Sequence, residues 1–191
     1  MLKITKKLSL NLKILRSFII PTILVLTPFY SIQNVKAGLE FQWNQDDSYR
    51  RLRWFQKENR RRFRNRIYFF LRPIDRNTEL LRINLAIPKT FKAKLNEEKI
   101  RFCNVRIGGF ESRTKCLEDI PADFEIKTEE SGLRSLDIYP YSPIPSNKES
   151  YAIVFKIFNP KKSGLYQFHS YGQPKGKSFS SYIGSSTIVI D

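Results

Sequence analysis

Two cysteines, Cys103 and Cys116, are the only thiols of the 191-residue chain, and a Gly-Gly pair lies between them. If Gly109 and Phe110 form a two-residue hairpin loop, the cysteines face each other at a non-hydrogen-bonded position, where Cα atoms approach to about 4.5 Å. That distance permits a disulfide, which is the interpretation that an oxidising compartment favours. Two free thiols are the alternative, and a metal site would have to use His169, the only histidine.

An arginine-rich segment, residues 50–66, holds nine basic residues and one acid, Glu58. Apolar side chains are interleaved with the charges, so the segment could present a basic amphipathic surface to anionic lipid, glycan or nucleic acid. The alternative is a solvated segment that covers one end of the fold, with its aromatic residues in the core. Arginine outnumbers lysine eight to one here, which favours phosphate or carboxylate recognition. The predicted anion-binding residues are Arg50, Arg51, Arg53, Arg60, Arg61, Arg62, Arg64 and Arg66.

Catalytic chemistry has few candidate residues in this sequence. His169 lies in a strand-like stretch beside Phe168, where a histidine is more often a packed or surface residue than a base. Paired acids such as Glu97-Glu98 and Glu129-Glu130 fall at predicted turns, where they are normally solvated. No phosphate-loop or zinc-ligand spacing occurs. We therefore predict no catalytic, cofactor-binding or metal site.

The first 37 residues have the order of a secretory signal peptide. Five basic residues and no acid precede an apolar run from Phe18 to Tyr30, and Val35-Lys36-Ala37 offers small residues for cleavage. An uncleaved anchor is the alternative, although the run is shorter than the about 20 apolar residues of a spanning helix. Cleavage after Ala37 predicts an exported protein of the periplasm or the extracellular space.

The charge of the mature chain is concentrated in one place. The leader and Lys36 carry six of the 34 basic residues and none of the 18 acidic ones, which leaves a net charge of +10 from Gly38 onward. Of this, +8 belongs to residues 50–66. The remaining mature chain is near neutral, so any explanation of the charge must also be local.

Downstream of Arg66 the apolar pattern has a period of two, which is typical of strands with one face on a core. We predict an all-β fold, a β-sandwich of about seven to eight short antiparallel strands, with a short helix in the basic segment. The prolines of 139–145 predict an extended loop there. The predicted organisation is 1–37 signal peptide, 38–66 basic N-terminal segment and 67–191 β-sandwich. The predicted strands are 67–71, 81–87, 100–107, 124–127, 136–139, 151–157, 165–171 and 187–190.

Several motifs in order resemble an exported cyanobacterial family of unknown function, DUF2808. These are Phe70-Leu71-Arg72-Pro73-Ile74-Asp75-Arg76, the segment from Cys103 to Cys116, Ile120-Pro121-Ala122, Lys156-Ile157-Phe158-Asn159-Pro160, Gly164-Leu165-Tyr166-Gln167-Phe168 and Tyr182-Ile183-Gly184-Ser185. The resemblance covers the chain from about Leu39 to its end. It implies an exported domain with a paired-cysteine segment, and it implies no reaction, ligand or catalytic residue.

The sequence thus predicts a non-enzymatic, exported β-domain that acts in the envelope or periplasm through surface binding. One alternative is an envelope enzyme that acts on glycan or phosphate esters. A pocket that contains His169 and two acidic residues would favour this alternative. Another is a purely structural envelope component whose arginines have no specific partner.

Overall fold

The structure, a computed structural model, describes residues 49–109 and 112–191, so the predicted signal peptide lies outside the described residues. Ten antiparallel strands form two five-stranded sheets that pack as a sandwich. Sheet 1 has the order β1-β2-β8-β4-β5 and sheet 2 the order β10-β9-β3-β7-β6. Within the described residues, no helix is long and apolar enough to cross a membrane. The strands are β1 Trp54–Gln56, β2 Arg64–Leu71, β3 Leu80–Ile87, β4 Ile100–Arg106, β5 Lys115–Asp119, β6 Ala122–Thr128, β7 Arg134–Pro140, β8 Tyr151–Phe158, β9 Gly164–Pro174 and β10 Ser181–Ile190.

The core lies between the two sheets and follows from the period of two along the strands. Ile67 and Phe69 of β2 and Leu85 of β3 are buried in it. Phe69 links the sheets, with its ring centroid 5.3 Å from that of Phe155 and 4.7 Å from that of Phe168. Burial of these aromatic and branched side chains is the main stabilising contribution of such a sandwich.

All eight predicted strands are present, and the structure adds β1 and β5. Both extra strands lie at the edges of sheet 1, and β5 is largely exposed. An edge strand without a buried face shows no alternation of apolar residues, so its sequence carries no period-two signal.

The predicted helix in the basic segment is wrong. Residues 54–71 form a hairpin instead, in which Phe55 lies opposite Tyr68 and Gln56 opposite Ile67. β2 pairs with β8 along its whole length, from Arg64 to Leu71. The helical spacing of a few apolar residues is therefore overridden by strand pairing with a segment about 90 positions away.

The loop predicted at 139–145 is also wrong in part. Tyr139 and Pro140 belong to β7, where Pro140 lies at the strand end opposite Ala122. A proline is tolerated there because it terminates the ladder rather than interrupting it. Ile144 then forms a single bridge to Leu80.

The motif from Phe70 to Arg76 has a structural explanation. Asp75 Oδ2 accepts hydrogen bonds from Arg72 N and Arg72 Nε, at 2.8 Å and 2.9 Å, and closes a 3-10 turn. The buried guanidinium of Arg76 donates to Leu71 O and Glu149 O and lies 4.6 Å from the Tyr151 ring centroid. Burial lowers the pKa of Arg76. These residues hold a loop against the sheet rather than face a ligand.

Candidate functional site

The eight predicted arginines lie in three places, so they do not form one site. Arg50, Arg51 and Arg53 precede or adjoin β1, where Arg51 forms a bridge to Ser185 of β10. Arg60, Arg61 and Arg62 occupy the loop between β1 and β2. Arg64 and Arg66 lie on β2 itself.

The loop arginines are partly compensated by a neighbouring acid. Arg60 donates from Nε to Glu58 Oε1 at 3.0 Å and from Nη2 to Glu58 Oε2 at 2.8 Å, and its guanidinium lies 4.1 Å from the Phe63 ring centroid. The hydrogen bonds from Arg60 lower the pKa of Glu58 to about 2. This exposed pair reduces the net charge of the loop tip.

Two buried asparagines hold this loop in place. Asn65 Nδ2 donates to Asn159 Oδ1 at 2.9 Å, while Asn159 Nδ2 donates to the carbonyls of Glu58 and Arg60. Asn65 Oδ1 in turn accepts from the amides of Lys57 and Glu58. The polar groups that a tight turn leaves unpaired are thereby satisfied.

The outer face of sheet 1 carries a row of four cationic residues. Lys57 donates its backbone N–H to Arg66 O, and Arg66 lies directly opposite Lys156. Lys99 ends the 3-10 turn Glu97–Lys99 directly before β4, whose first residue, Ile100, lies opposite Phe155, the neighbour of Lys156. Arg66 and Lys156 lie on the adjacent strands β2 and β8, while Lys57 follows the end of β1 and Lys99 precedes the start of β4, so with strands about 4.8 Å apart the row spans about 14 Å. We call these four residues the basic row.

A groove of about 730 Å³ runs along one side of the basic row. Its lining adds Arg64 and Lys94 to the four cations of the row, together with Asn96 and Phe158. The guanidinium of Arg64 lies 5.5 Å from the Phe158 ring centroid. We call this the lysine groove.

A second groove, of about 630 Å³, lies on the other side and shares Lys57 and Arg66 with the first. Phe55, Tyr68 and Val154 form its apolar part, and residues 108–109 and 112–116 line another side. Three further cations also line this groove, which we call the loop groove; they are Arg101, Arg113 and Lys115.

The cations of the basic row have no acidic partner among the described residues. Seven ion pairs join described residues, and none of them involves the basic row, Arg64 or Lys94. Arg101 differs, because its guanidinium binds Asp119. No described acidic residue lines either groove. Within residues 49–109 and 112–191, this dense positive charge has no ion-paired counterion.

Four lysines of the lysine groove were not among the predicted site residues: Lys57, Lys94, Lys99 and Lys156. Lys156 shows what signal was present, because it is the exposed member of a strand whose neighbours are buried. What brings it to Arg66 is the pairing of β2 with β8. That pairing is non-local and has no signature in either segment alone.

The outer face becomes apolar beyond the basic row. We call a set of residues that face each other across neighbouring strands a rung. The rung next to the basic row consists of Phe55, Tyr68, Val154 and Arg101. The following rung consists of Phe70, Ala152 and Cys103. Buried residues of these rungs form a small apolar cluster outside the main core, with Cys116 packed against it. The sheet therefore carries a small apolar cluster beyond the basic row, bordered by the cations Arg101, Arg113 and Lys115 of the loop groove.

Cys103 and Cys116 are joined in a disulfide at this apolar cluster, as expected, with Cα atoms 5.7 Å apart. The predicted hairpin register is wrong. Cys103 lies opposite Asp119 and Cys116 opposite Val105, with a register shift between Asn104 and Val105. The connecting loop is longer than two residues, because the β4–β5 pairing stops at Arg106 and Lys115. The bulge brings the two sulfurs together although their residues are not direct partners.

His169 lies on sheet 2, away from both grooves. Its Nδ1 is 2.7 Å from Ser185 Oγ, which is also hydrogen-bonded to Tyr182. Ser185 is fully buried, and burial lowers the pKa of His169. Asp137 Oδ1, on the same sheet, accepts from Arg82 and Asn84. Among the described residues, no group of three His, Cys, Asp or Glu side chains could hold a metal.

The fold and this face define an all-β sandwich domain with one cationic sheet surface. The chain belongs to the DUF2808 family, a family of proteins of unknown function, whose sequence profile matches residues 41–190. No curated protein matches the sequence significantly.

Solved structures with a similar fold are distant in sequence. The bacterial hydrophobin BslA is 11% identical, with a TM-score of 0.44 over 75% of this chain and 96% of that one. The collagen-binding domain of a Staphylococcus aureus adhesin is 14% identical, with a TM-score of 0.37 over 72% and 95%. The collagen-binding subdomain of the Enterococcus faecalis surface protein ACE is 11% identical, with a TM-score of 0.38 over 74% and 98%. Likeness at this distance says nothing about what this chain binds.

Proposed function

We propose that the mature protein is an exported, non-enzymatic domain of the periplasm or cell surface that binds an anionic partner along the basic row. The observation that carries this proposal is the basic row, in which Arg66 and Lys156 face each other on β2 and β8, Lys57 and Lys99 lie beside the ends of β1 and β4, and none of the four has an acidic partner among the described residues. Like charges that lie directly opposite each other destabilise a sheet. A bound anion removes that repulsion, so the row is better suited to a complex than to the free protein.

Export is supported by the signal-peptide pattern of the first 37 residues and by the disulfide. Disulfides persist in oxidising compartments and are rare in the cytosol. A non-enzymatic role is supported by the lining of the two grooves, which among the described residues includes no carboxylate and no histidine to transfer a proton.

The test is salt-gradient elution of the mature protein from immobilised dextran sulfate. A row variant carries Arg66→Gln, Lys99→Gln and Lys156→Gln. A matched control carries Lys89→Gln, Lys161→Gln and Lys162→Gln, which removes the same charge from exposed positions that line neither groove. We expect the row variant to elute at clearly lower salt than the control.

A third variant, with Arg60→Gln, Arg61→Gln and Arg62→Gln, tests the loop. We expect it to elute with the control, because these arginines line neither groove and Arg60 already pairs with Glu58. Equal elution of all three variants would reduce the attraction to net charge and contradict the proposal. The largest loss in the loop variant would place the site at the loop.

A further inference from the structure

We propose that the anion bound by the basic row is a linear acidic polysaccharide with one carboxylate on each sugar, a polyuronate. This inference rests on the proposed function and names the partner class of the same site.

The spacing of the row suits a polymer with one charge on each ring. Arg66 and Lys156 lie on adjacent strands, about 4.8 Å apart, and Lys57 and Lys99 flank them beside the ends of β1 and β4. A pyranose ring advances a glycan chain by a similar length, and successive sugars are rotated about the chain axis, so a polyuronate lying along the row presents its carboxylates to alternate cations. The row spans about 14 Å, which matches a short run of sugars.

The shape of the face favours a chain over a flat surface. The lysine groove and the loop groove share Lys57 and Arg66, so the two depressions adjoin each other at the row. Residues 108–109 and 112–115 bound it on one side, and Lys94 and Asn96 bound it on the other. A bilayer surface contacts the groups that protrude most, whereas a chain can enter a groove.

Uncharged polar side chains on both sides of the row suit sugar hydroxyls. Asn96 accepts from Glu98 N through Oδ1, and its amide nitrogen remains as a donor. Thr114 Oγ1 accepts from Gly108 N and can still donate its own hydrogen. Ser112 lines the same groove. A glycan needs such neutral partners between its charges, whereas simple anion capture does not.

Single-stranded nucleic acid fits this face less well, because it relies on bases stacking on open aromatic faces. Tyr68 is only 3% exposed, and Phe55 packs against it with ring centroids 5.9 Å apart. Phe158 is 56% exposed but has the Arg64 guanidinium over its ring. Of the three aromatic rings in the grooves, Tyr68 is therefore buried, and Phe55 and Phe158 each have a protein group against the ring.

The test compares four probes at equal ionic strength with the mature protein. They are polygalacturonate, the same polymer fully methyl-esterified, vesicles containing phosphatidylglycerol, and oligo-deoxythymidylate. We expect polygalacturonate to bind most tightly per charge. Esterification keeps the sugar chain and removes the carboxylates, so it should weaken binding by about tenfold or more, the equivalent of at least 1.4 kcal/mol.

The row variant should lose polygalacturonate binding by a similar factor, while the Lys89/Lys161/Lys162 control should retain it. Tighter binding of vesicles or oligo-deoxythymidylate would overturn the polyuronate assignment and indicate a membrane or nucleic-acid partner. Row-dependent binding of dextran sulfate without binding of polygalacturonate would also overturn it and leave the proposed function standing. If the row variant binds both dextran sulfate and polygalacturonate as tightly as the Lys89/Lys161/Lys162 control does, the proposed function itself is contradicted.

Discussion

Asn159 shows how one buried amide determines where charged residues lie. Its side chain is 4% exposed, accepts from Asn65 and donates to the carbonyls of Glu58 and Arg60. Each of these groups would be unsatisfied without its partner, at a cost of about 1 to 3 kcal/mol. The Asn-Pro at 159–160 reads from the sequence as a turn, and nothing local in it indicates a partner about 100 residues away.

Arg62 has the backbone conformation of a glycine or an asparagine. Its φ is +63°, in the left-handed region, whereas its neighbour Arg61 has no positive φ. We predict that Arg62→Asn raises the free energy of unfolding by up to about 1 kcal/mol, because asparagine tolerates this region better. Urea denaturation measures the change. Arg61→Asn is the control, and an equal gain there would show that only charge was relieved.

The disulfide between Cys103 and Cys116 is expected to stabilise the folded protein. Cys116→Ser should lower the free energy of unfolding by about 3 kcal/mol, as the entropic model gives for a loop of this length. Denaturant unfolding of the oxidised wild type, the reduced wild type and the variant measures it. The reduced wild type should match the variant. If reduction changes nothing, the bond contributes no stability and the prediction fails.

The strands of sheet 1 carry opposed charges on one rung and apolar partners on the next. Arg66 faces Lys156, while Tyr68 faces Val154 one rung further. The apolar rungs stabilise the sheet through cross-strand contact, and the cationic rung opposes it. A sheet optimised for stability alone would not keep four cations in a line, which is why we attribute the row to binding.

We therefore predict that Lys156→Thr stabilises the free protein. Threonine suits a strand, and the loss of the opposed charge should raise the free energy of unfolding by about 0.5 kcal/mol at low salt. The gain should shrink as added salt screens the repulsion. Thermal unfolding at low and high salt measures both effects.

Lys127→Thr is the matched control for Lys156→Thr. Lys127 is also an exposed strand lysine, but its Nζ lies 2.9 Å from Asp137 Oδ2 and 3.1 Å from Glu125 Oε2. Its removal should destabilise the protein or leave it unchanged. Stabilisation by both substitutions would mean that threonine propensity, not charge, is the cause.

The lowered pKa of Asp137, on sheet 2, determines how this residue's contribution to the free energy of unfolding changes with pH. Burial acts to raise its pKa, but hydrogen bonds from Asn84, Arg82 and Lys127 outweigh burial and lower it below the ordinary 3.8. The folded state therefore binds this proton less readily than the unfolded state. Its contribution is complete above pH 3.8 and is lost as the pH falls through the lowered value.

Asp137→Asn should accordingly reduce stability at neutral pH by about 1 to 3 kcal/mol, because Arg82 loses its charged partner. The variant should also lose less stability than the wild type when the pH is lowered past 3.8. Chemical denaturation across this range checks both. Parallel curves for the two proteins would assign the acid dependence to other carboxylates.

At the scale of the whole molecule, alternation of apolar residues was enough to predict the sandwich and eight of its strands. It could not predict β5, which has no buried face, or the true register of the cysteines, which depends on a bulge. The proposed basic row includes only one of the eight arginines predicted from local charge, Arg66. Lys156 reaches Arg66 through the pairing of β2 with β8, and Lys99 lies beside it just before β4, so neither could be found from the charge of the segment alone.

The two sheet faces differ in charge, and this predicts the orientation of the bound protein. On sheet 2 the outward lysine Lys127 is paired with carboxylates, whereas on sheet 1 the exposed Lys57, Lys99 and Lys156 are not. An anionic polymer should therefore contact the sheet 1 face and leave the sheet 2 face in solvent.

Lysine footprinting tests this orientation without any mutation. The mature protein is acetylated briefly with and without polygalacturonate, and modification at each lysine is measured by mass spectrometry. We expect protection of Lys57, Lys99 and Lys156 and unchanged modification of Lys89, Lys127 and Lys161, which serve as controls in the same spectra. The protection should disappear at high salt, because counterions compete for the row. Equal protection of all six lysines would indicate that the polymer binds non-specifically through the net charge of the protein. Protection of Lys127 without protection of Lys57, Lys99 and Lys156 would place the binding face on sheet 2.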